Sequence, residues 1–436
     1  MTSIINSSNA NSALVQTIEA SDSRRNPNVY NVKEVNPTYA NTWVKNDPVN
    51  GSNTANGVQN WNLQKYGIIQ QILLTYEKTY MTTNSGANAT AGLKIEAGDV
   101  FNTVNKVELL SSSRVVAILT AADLMAQFSN LTSSEYGPIY RTATGPREDD
   151  SVNPTAAATA SYHTWVLPLH FGFMDDTNLN LNSSFLEGLS IRVTWGSDIG
   201  NHTYTFAAGA AVTGPTTVNE PHLRILYKSM PEQPTAEMLS ENFSADSLIQ
   251  VSSRFYDENP VYYEGGAVAV KNHKVDVDLK NTDCVESFYV VIRAADRTKD
   301  AGTGNLNGGY GRPVQVNKVE FTGSGQEILT LEEMQIPYTR LQDNGWATSS
   351  GVADFALQAG TSELWNICKL QNGLYDSGGG GKLSNTMSLR EINAGRISVY
   401  FNAAANTRYR VDVVENTTAV YQIASNTGRL SLALSN

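Results

Sequence analysis

Apolar and polar residues alternate along most of this chain from about residue 60 onward, the period-two signature of strands with one buried face. Ile68, Ile72, Leu74 and Tyr76 share one parity, with Thr75 and Glu77 on the other. Leu189, Ile191, Val193 and Trp195 alternate with Ser190, Arg192 and Thr194. Val275, Val277 and Leu279 alternate with Lys274, Asp276, Asp278 and Lys280, and Ile397, Val399 and Phe401 with Ser398, Tyr400 and Asn402. The last run sets Leu430, Leu432 and Leu434 against Arg429, Ser431 and Ala433. Near Lys271–His273 the phase slips, because Val268 and Val270 sit on the other parity from Val275; a bulge or break there would absorb it. Helical patterns are few and short: SALVQTIEAS in the N-terminal segment, AEMLSENF (236–243) and SELWNICKL (362–370). Many short strands with Gly, Asn and Pro turns predict an all-β sandwich.

One pentapeptide occurs twice. VNKVE stands at 104–108 and again at 316–320, 212 residues later. Each copy runs into a polar stretch with Ser or Gly and closes on Ile-Leu-Thr, at 118–120 and 328–330, there 210 residues apart. The difference implies one short gap between otherwise parallel stretches. Thr120-x-x-Asp123 and Thr330-x-x-Glu333 then both carry a capping arrangement that starts a helix. A strand, a turn and a capped helix thus recur half a chain apart, and the chain reads as one fold in tandem. Pro231 and Pro234 lie in a polar run where the repeat demands a linker. The expected division is an N-terminal arm at 1–57, a first sandwich at 58–235, a linker at 236–245 and a second sandwich at 246–436. Three long loops, at 142–161, 301–313 and 376–381, are expected to be functional or contact-making.

Composition narrows the function. The 436 residues suffice for two cores, and charged residues are only 17%, against about 25% in an average soluble domain. The net charge of −11, without a long Lys/Arg run, argues against sequence-specific nucleic-acid binding. The N-terminus MTSIINSSNA lacks the basic start and apolar run of a signal peptide. No stretch approaches the roughly 18 continuous apolar residues of a membrane span, so synthesis in a cytoplasm and a soluble chain are expected. Cys284 and Cys368 are expected as buried free thiols, with a single disulfide as the alternative.

The search for chemistry nominates no catalytic, cofactor or metal site. His163, His170, His202, His222 and His273 form no HxH or HxxxH pair, so structural roles outweigh ligation. Asp276 and Asp278 would share the solvated face of one strand, and Asp175-Asp176 reads as a turn. GTGNLNGG (302–309) lacks the GK[ST] ending of a phosphate loop, and GSG at 323–325 opens a turn. Trp165, Trp195, Trp346 and Trp365 could line a sugar-binding face, but buried core is the heavier reading.

Several strings resemble a family. NWNLQKYGIIQQILLTYEKTY (60–80), WVLPLHFGFMDD with FLEGLSIRVTW (165–195), SGQEIL (324–329), SLREINAGRISVYF (388–401) and the terminal GRLSLALSN are similar to strands of double jelly-roll major capsid proteins. These belong to tailless icosahedral, membrane-containing viruses of the tectivirus, corticovirus and adenovirus lineage, and the strings are most like those of bacteriophages. The resemblance implies two tandem jelly rolls behind an extended N-terminal arm, with no enzymatic activity and no cofactor. It implies a homotrimer forming a pseudo-hexameric capsomer that tiles an icosahedral virion, with neighbouring capsomers and minor and penton capsid proteins as partners. The arm would face inward, with Arg24 and Arg25 meeting the internal viral membrane or genome phosphate. The alternative is a non-enzymatic receptor- or carbohydrate-binding β-sandwich protein, such as a spike or adhesin; a carbohydrate-active enzyme ranks last, because no acid pair is placed for it.

Overall fold

A computed structural model describes residues 40–84, 93–95, 103–130, 147–149, 159–174, 180–229 apart from 185, 198, 201–202 and 206–209, 247–299 apart from 282–283 and 295–297, 306–307, 316–332, 367–371, and 387–432 apart from 393 and 425–426. The first half builds eight principal strands: β1 Ala40–Asn46, β2 Val58–Asn62, β3 Ile68–Asn84, β4 Val104–Ser111, β5 Arg114–Thr120, β6 Thr159–Pro168, β7 Leu189–Trp195 and β8 Asn219–Ser229. One helix, α1 Ala121–Asn130, follows β5. The second half builds β9 Ser247–Asp257, its continuation β10 Val261–Glu264, β11 Val270–Asp278, β12 Cys284–Ala294, β13 Val316–Gly323, β14 Gln326–Glu332, β15 Ile367–Gln371, β16 Arg396–Ala403 and β17 Arg408–Ala424. A short β18, Leu430–Leu432, folds back on the end of β17.

Each half is a two-sheet sandwich with one topology. In the first, β1-β8-β3-β6 form one sheet and β2-β7-β4-β5 the other, all antiparallel. In the second, β9 and β10 pair β17, which pairs β12 and then β15, while β11-β16-β13-β14 form the facing sheet. Counting β9 with β10 as one strand, both halves read 1-8-3-6 over 2-7-4-5. This is the jelly-roll path, in which most successive strands cross between sheets. The chain is a double jelly roll.

The repeated pentapeptide marks a β-bulge. Val104 lies opposite Trp195 and Lys106 opposite Thr194, so Asn105 is the extra residue. Val316 lies opposite Phe401 and Lys318 opposite Tyr400, so Asn317 is its counterpart. Both hairpins then turn through two residues with positive φ, Ser112 (47°) and Ser113 (70°) in one, Ser324 (52°) and Gly325 (77°) in the other. Two left-handed central residues make the tight turn that matches strand twist. After the turn each strand bulges once more, at Val116 and at Ile328.

Every equivalence within this hairpin keeps the 212-residue spacing, and the expected gap does not exist. Ile118 lies opposite Glu108, and the residue opposite Glu320 is Thr330. The Ile-Leu-Thr match was therefore two residues out of step. A two-residue slip preserves which face each side chain takes, so the hydrophobic pattern could not reveal it. Thr120 caps α1: its N–H donates to Asp123 Oδ2 (2.7 Å), and the Asp123 N–H donates to Thr120 Oγ1 (3.2 Å). Thr330 instead lies inside β14, where its hydroxyl bonds the Val319 carbonyl.

The alternation holds in detail. Leu189, Ile191, Val193 and Trp195 are buried between half-buried Ser190, Arg192 and Thr194. The phase slip is a bulge: Lys271 and Asn272 together oppose Asn402. Two further expectations fail. The first roll does not begin at 58, because β1 pairs β8 along its length; only Trp43 and Val44 are large apolar residues in that stretch, too few to show a period. The helix pattern at 362–370 gives way to strand β15 from Ile367, where pairing with β12 overrides local propensity. Residues 1–39, the linker at 236–245 and most of the three long loops lie outside the described residues.

Candidate functional site

The nominated chemistry disperses. Trp165 and Trp195 are fully buried core residues, with Trp195 edge-on to Tyr76. His170 is buried, His273 stacks on Tyr263 at 3.6 Å between ring centroids, and His222 Nδ1 lies 2.9 Å from the Glu220 carbonyl oxygen. Asp276 accepts from Ser398 (2.6 Å) and pairs with Lys274 (3.1 Å), while Asp278 pairs with Arg396 (2.7 Å). That ladder of opposite charges across strands is a solvated face, as the sequence indicated. Cys284 is a free thiol as expected but half-buried, not buried, and the Cys368 side chain lies outside the described residues. Arg24, Arg25, Asp175, Asp176, His202, Trp346 and Trp365 lie outside the described residues. Among the described residues no three His, Cys, Asp or Glu side chains are grouped to hold a metal, and no helix is long and apolar enough to cross a membrane.

What the fold does build is a joint between its halves. Helix α1 lies across the outer face of the second roll's β9-β17-β12-β15 sheet. Leu124 and Ala126 of the helix are fully buried, and so are Tyr289, Val291 and Val414 of that sheet face. These belong to one apolar cluster that runs from the first roll's core through Phe255, Tyr421 and Ile423 of the second. The second roll keeps a separate core of its own between its sheets, around Val290, Phe321, Val399 and Val413. Hydrogen bonds seal the edge: Leu430 N–H donates to Ser111 Oγ (3.1 Å) and Glu187 N–H to the Gly428 carbonyl (2.8 Å). Burying large aliphatic and aromatic side chains contributes roughly 1.5–3 kcal/mol each, so the rolls form one body.

A polar cluster sits inside this joint. Asp123, 2% exposed, lies beside Asp257 at the end of β9. Burial pushes both carboxyl groups above the ordinary Asp value, Asp123 furthest, and the charge of Asp257 raises Asp123 further. At Asp257 the Thr120 hydroxyl and Arg410 favour the charged form while Asp412 opposes it; Arg410 Nε itself donates to both Asp412 oxygens (2.9 and 3.1 Å). The sequence marked Asp123 as a helix cap and gave no signal for its partner, because the contact joins positions in different rolls.

A second charged group lies on the outer face of the repeat. Glu108 accepts from Arg192 Nε (2.6 Å) and pairs with Lys106 Nζ (2.9 Å). Its burial raises the carboxyl pKa, but the bonds from Arg192 and Lys106 outweigh this and hold it below the usual range. In the second copy Glu320 pairs with Lys318 and accepts from the Tyr400 hydroxyl (2.9 Å).

No family model matches the chain, and no curated protein resembles it in sequence. Its structure, however, is similar to solved capsid proteins. It matches a chain of the PBCV-1 virus capsid with a TM-score of 0.60 at 12% identity, over 92% of this chain and 98% of that one. The Faustovirus major capsid protein matches with a TM-score of 0.57 at 10% identity, over 89% and 91% of the two chains. The mavirus major capsid protein matches with 0.55 at 12% identity, over 90% of each. At such identities the likeness is one of fold, carried through nearly the whole length of both partners. The fold is that of double jelly-roll major capsid proteins.

Proposed function

We propose that this chain is a major capsid protein, trimerising into pseudo-hexameric capsomers that tile an icosahedral virion shell. One observation carries the reading: two jelly rolls of one topology are locked by a buried joint, in a fold whose solved examples are capsid proteins. Two similar rolls per chain give six similar units in a trimer, a near-hexagonal block from threefold symmetry. The role is structural, without cofactor. Partners are neighbouring capsomers together with minor and penton capsid proteins. The segment before β1, with Arg24 and Arg25, faces the shell interior and meets anionic lipid headgroups or genome phosphate there. Synthesis is in the host cytoplasm.

Light scattering across the size-exclusion peak tests this. A capsomer has a mass of about 142 kDa, three times 47.3 kDa, and hexagonal outlines in electron micrographs. A monomer that persists at high concentration overturns the proposal and favours a receptor- or sugar-binding module. For the arm, deletion of residues 1–30 should stop normal particle formation; particles recovered in normal yield would refute its role.

A further inference from the structure

The connection from β10 to β11 makes an apolar point at one end of the second roll. Residues 266–272 are all exposed and read Gly-Ala-Val-Ala-Val-Lys-Asn. Val268, at 76%, is the most exposed large apolar side chain among the described residues, and Val270 is 40% exposed. The equivalent connection of the first roll, from β1 to β2, is polar in sequence, DPVNGSNTANG at 47–57. One roll of the duplicated fold therefore carries an apolar turn where the other carries a polar one.

Backbone bonds pin this turn in place. Gly265 N–H donates to the Thr407 carbonyl (3.0 Å) and Asn406 N–H to the Gly266 carbonyl (2.8 Å), tying it to the turn between β16 and β17. A Cβ on Gly265 would stand 2.4 Å from the Thr407 oxygen, so glycine is what lets the two turns approach. The second turn adds half-buried Ala404, whose N–H donates to the Tyr409 hydroxyl (2.9 Å). A turn bonded down in this way cannot fold its valines inward, and their exposure marks a contact surface. It projects, so it offers no groove for a peptide or a sugar; its valines find apolar partners by entering an apolar phase themselves.

The surroundings fit a particular phase. Lys271 follows Val270 and is exposed. The acids of the flanking strands are paired, Glu264 with Arg408 (2.6 Å) and Asp276 with Lys274 (3.1 Å), so Lys271 adds a net positive charge. Tyr262, 45% exposed, stands behind the turn with the Arg408 guanidinium 4.7 Å from its ring centre. Aliphatic residues at the tip, with a cation and an amphipathic aromatic behind them, are the arrangement of interfacial binding to anionic lipid.

We propose that the turn at 265–270 inserts Val268 and Val270 into the surface of an anionic lipid bilayer, with Lys271 against the headgroups. The turn lies at the opposite end of the molecule from the arm. β17 starts beside it at Arg408 and ends at Ala424, and Leu430, just beyond, donates to Ser111 in the turn at the arm end of the first roll. In a shell whose arms face inward, this turn faces outward and meets a bilayer outside the particle. That direction rests on the reading of the chain as a shell subunit; the lipid contact itself does not. A single turn binds weakly, and many turns on one shell act together.

Vesicle flotation of the full-length chain tests this. Arg24→Ala with Arg25→Ala serves as the background, which removes the arm's own attraction to headgroups. The background protein should float with vesicles of equal parts phosphatidylcholine and phosphatidylglycerol, and much less with phosphatidylcholine alone. Adding Val268→Asp should lower the bound fraction about tenfold or more, and Lys271→Glu should lower it less. Val268 is exposed, so melting should be unchanged; Val268→Ser replaces Val268→Asp if that variant fails to fold. A background protein that does not float, or a Val268 variant that floats as well as the background, overturns the lipid contact. Light scattering on the same samples keeps the two readings apart. Loss of flotation at three times 47.3 kDa overturns the turn's role alone, whereas a protein that floats at 47.3 kDa keeps the lipid contact and overturns the shell reading.

Discussion

Asp123 on the helix of the first roll and Asp257 on the first strand of the second lie side by side in the joint, and burial raises both carboxyl groups above the ordinary Asp value. A carboxyl whose pKa is raised by folding binds its proton more tightly in the folded state. Its contribution is full below the unfolded value of 3.8 and is lost as pH rises toward the folded value. The slope is at most about 1.4 kcal/mol per pH unit. Asp123→Asn mimics the protonated acid: its oxygen can still accept from the Thr120 N–H while its amide donates to Asp257. The variant should melt higher than the wild type at neutral pH and show a flatter decline as pH rises above 3.8. Equal slopes in both proteins would show that Asp123 does not bind its proton more tightly in the folded state.

Glu108 carries the opposite sign. Its folded pKa is depressed, so its contribution is present above the unfolded value of 4.5 and is lost as pH falls through the folded value. Glu108→Ala removes the partner of Arg192 and Lys106, which are 35% and 38% exposed. The loss should be about 2 kcal/mol, below the range for fully buried pairs because water reaches both cations. Glu320→Ala should cost less, since its carboxylate is more exposed than that of Glu108. Urea titrations at neutral pH would rank the two, and the reverse order would contradict the burial argument.

The two hairpins differ in one turn residue. Ser113 holds φ of 70° where the equivalent Gly325 holds 77°. A residue with Cβ is strained in this region and glycine is not, although glycine gives up more freedom on folding. Ser113→Gly should stabilise the protein by about 0.5 kcal/mol and Gly325→Ser should destabilise it by a similar amount. Paired denaturation curves would read both signs; matching signs would mean that the turns are not equivalent.

Sequence alone revealed what repeats locally and hid what depends on distance. Period-two runs located β3, β7, β11 and β16 and even the bulge at Lys271–Asn272, because burial on one face writes itself into neighbouring residues. VNKVE exposed the duplication because a bulge followed by a two-residue turn constrains consecutive positions. β1 was missed, since an edge strand with an open outer face needs few apolar residues. The joint was illegible: Val116 and Ile328 look alike in sequence, and only the docked second roll makes one buried and the other exposed.

The second roll carries a bulge that the first lacks, and one side chain holds it. Asn402 lies opposite the extra pair Lys271 and Asn272, and its Oδ1 accepts from the Asn272 N–H (3.1 Å) and from Asn317 Nδ2 (2.9 Å). Asn272 is left-handed at φ 54°, and Asn317 is itself the extra residue of the VNKVE bulge. One acceptor therefore ties two bulges on neighbouring strands to the strand between them. Asn402→Ala removes that acceptor for both donors, at a cost of about 1 kcal/mol because the site is partly open to water. The more specific readout is hydrogen exchange. The Asn272 amide should exchange faster in the variant, while amides of β7 and β4, in the first roll, keep their wild-type protection. Acceleration spread evenly over both rolls would mean that the loss is global and that Asn402 does not act as a local clamp.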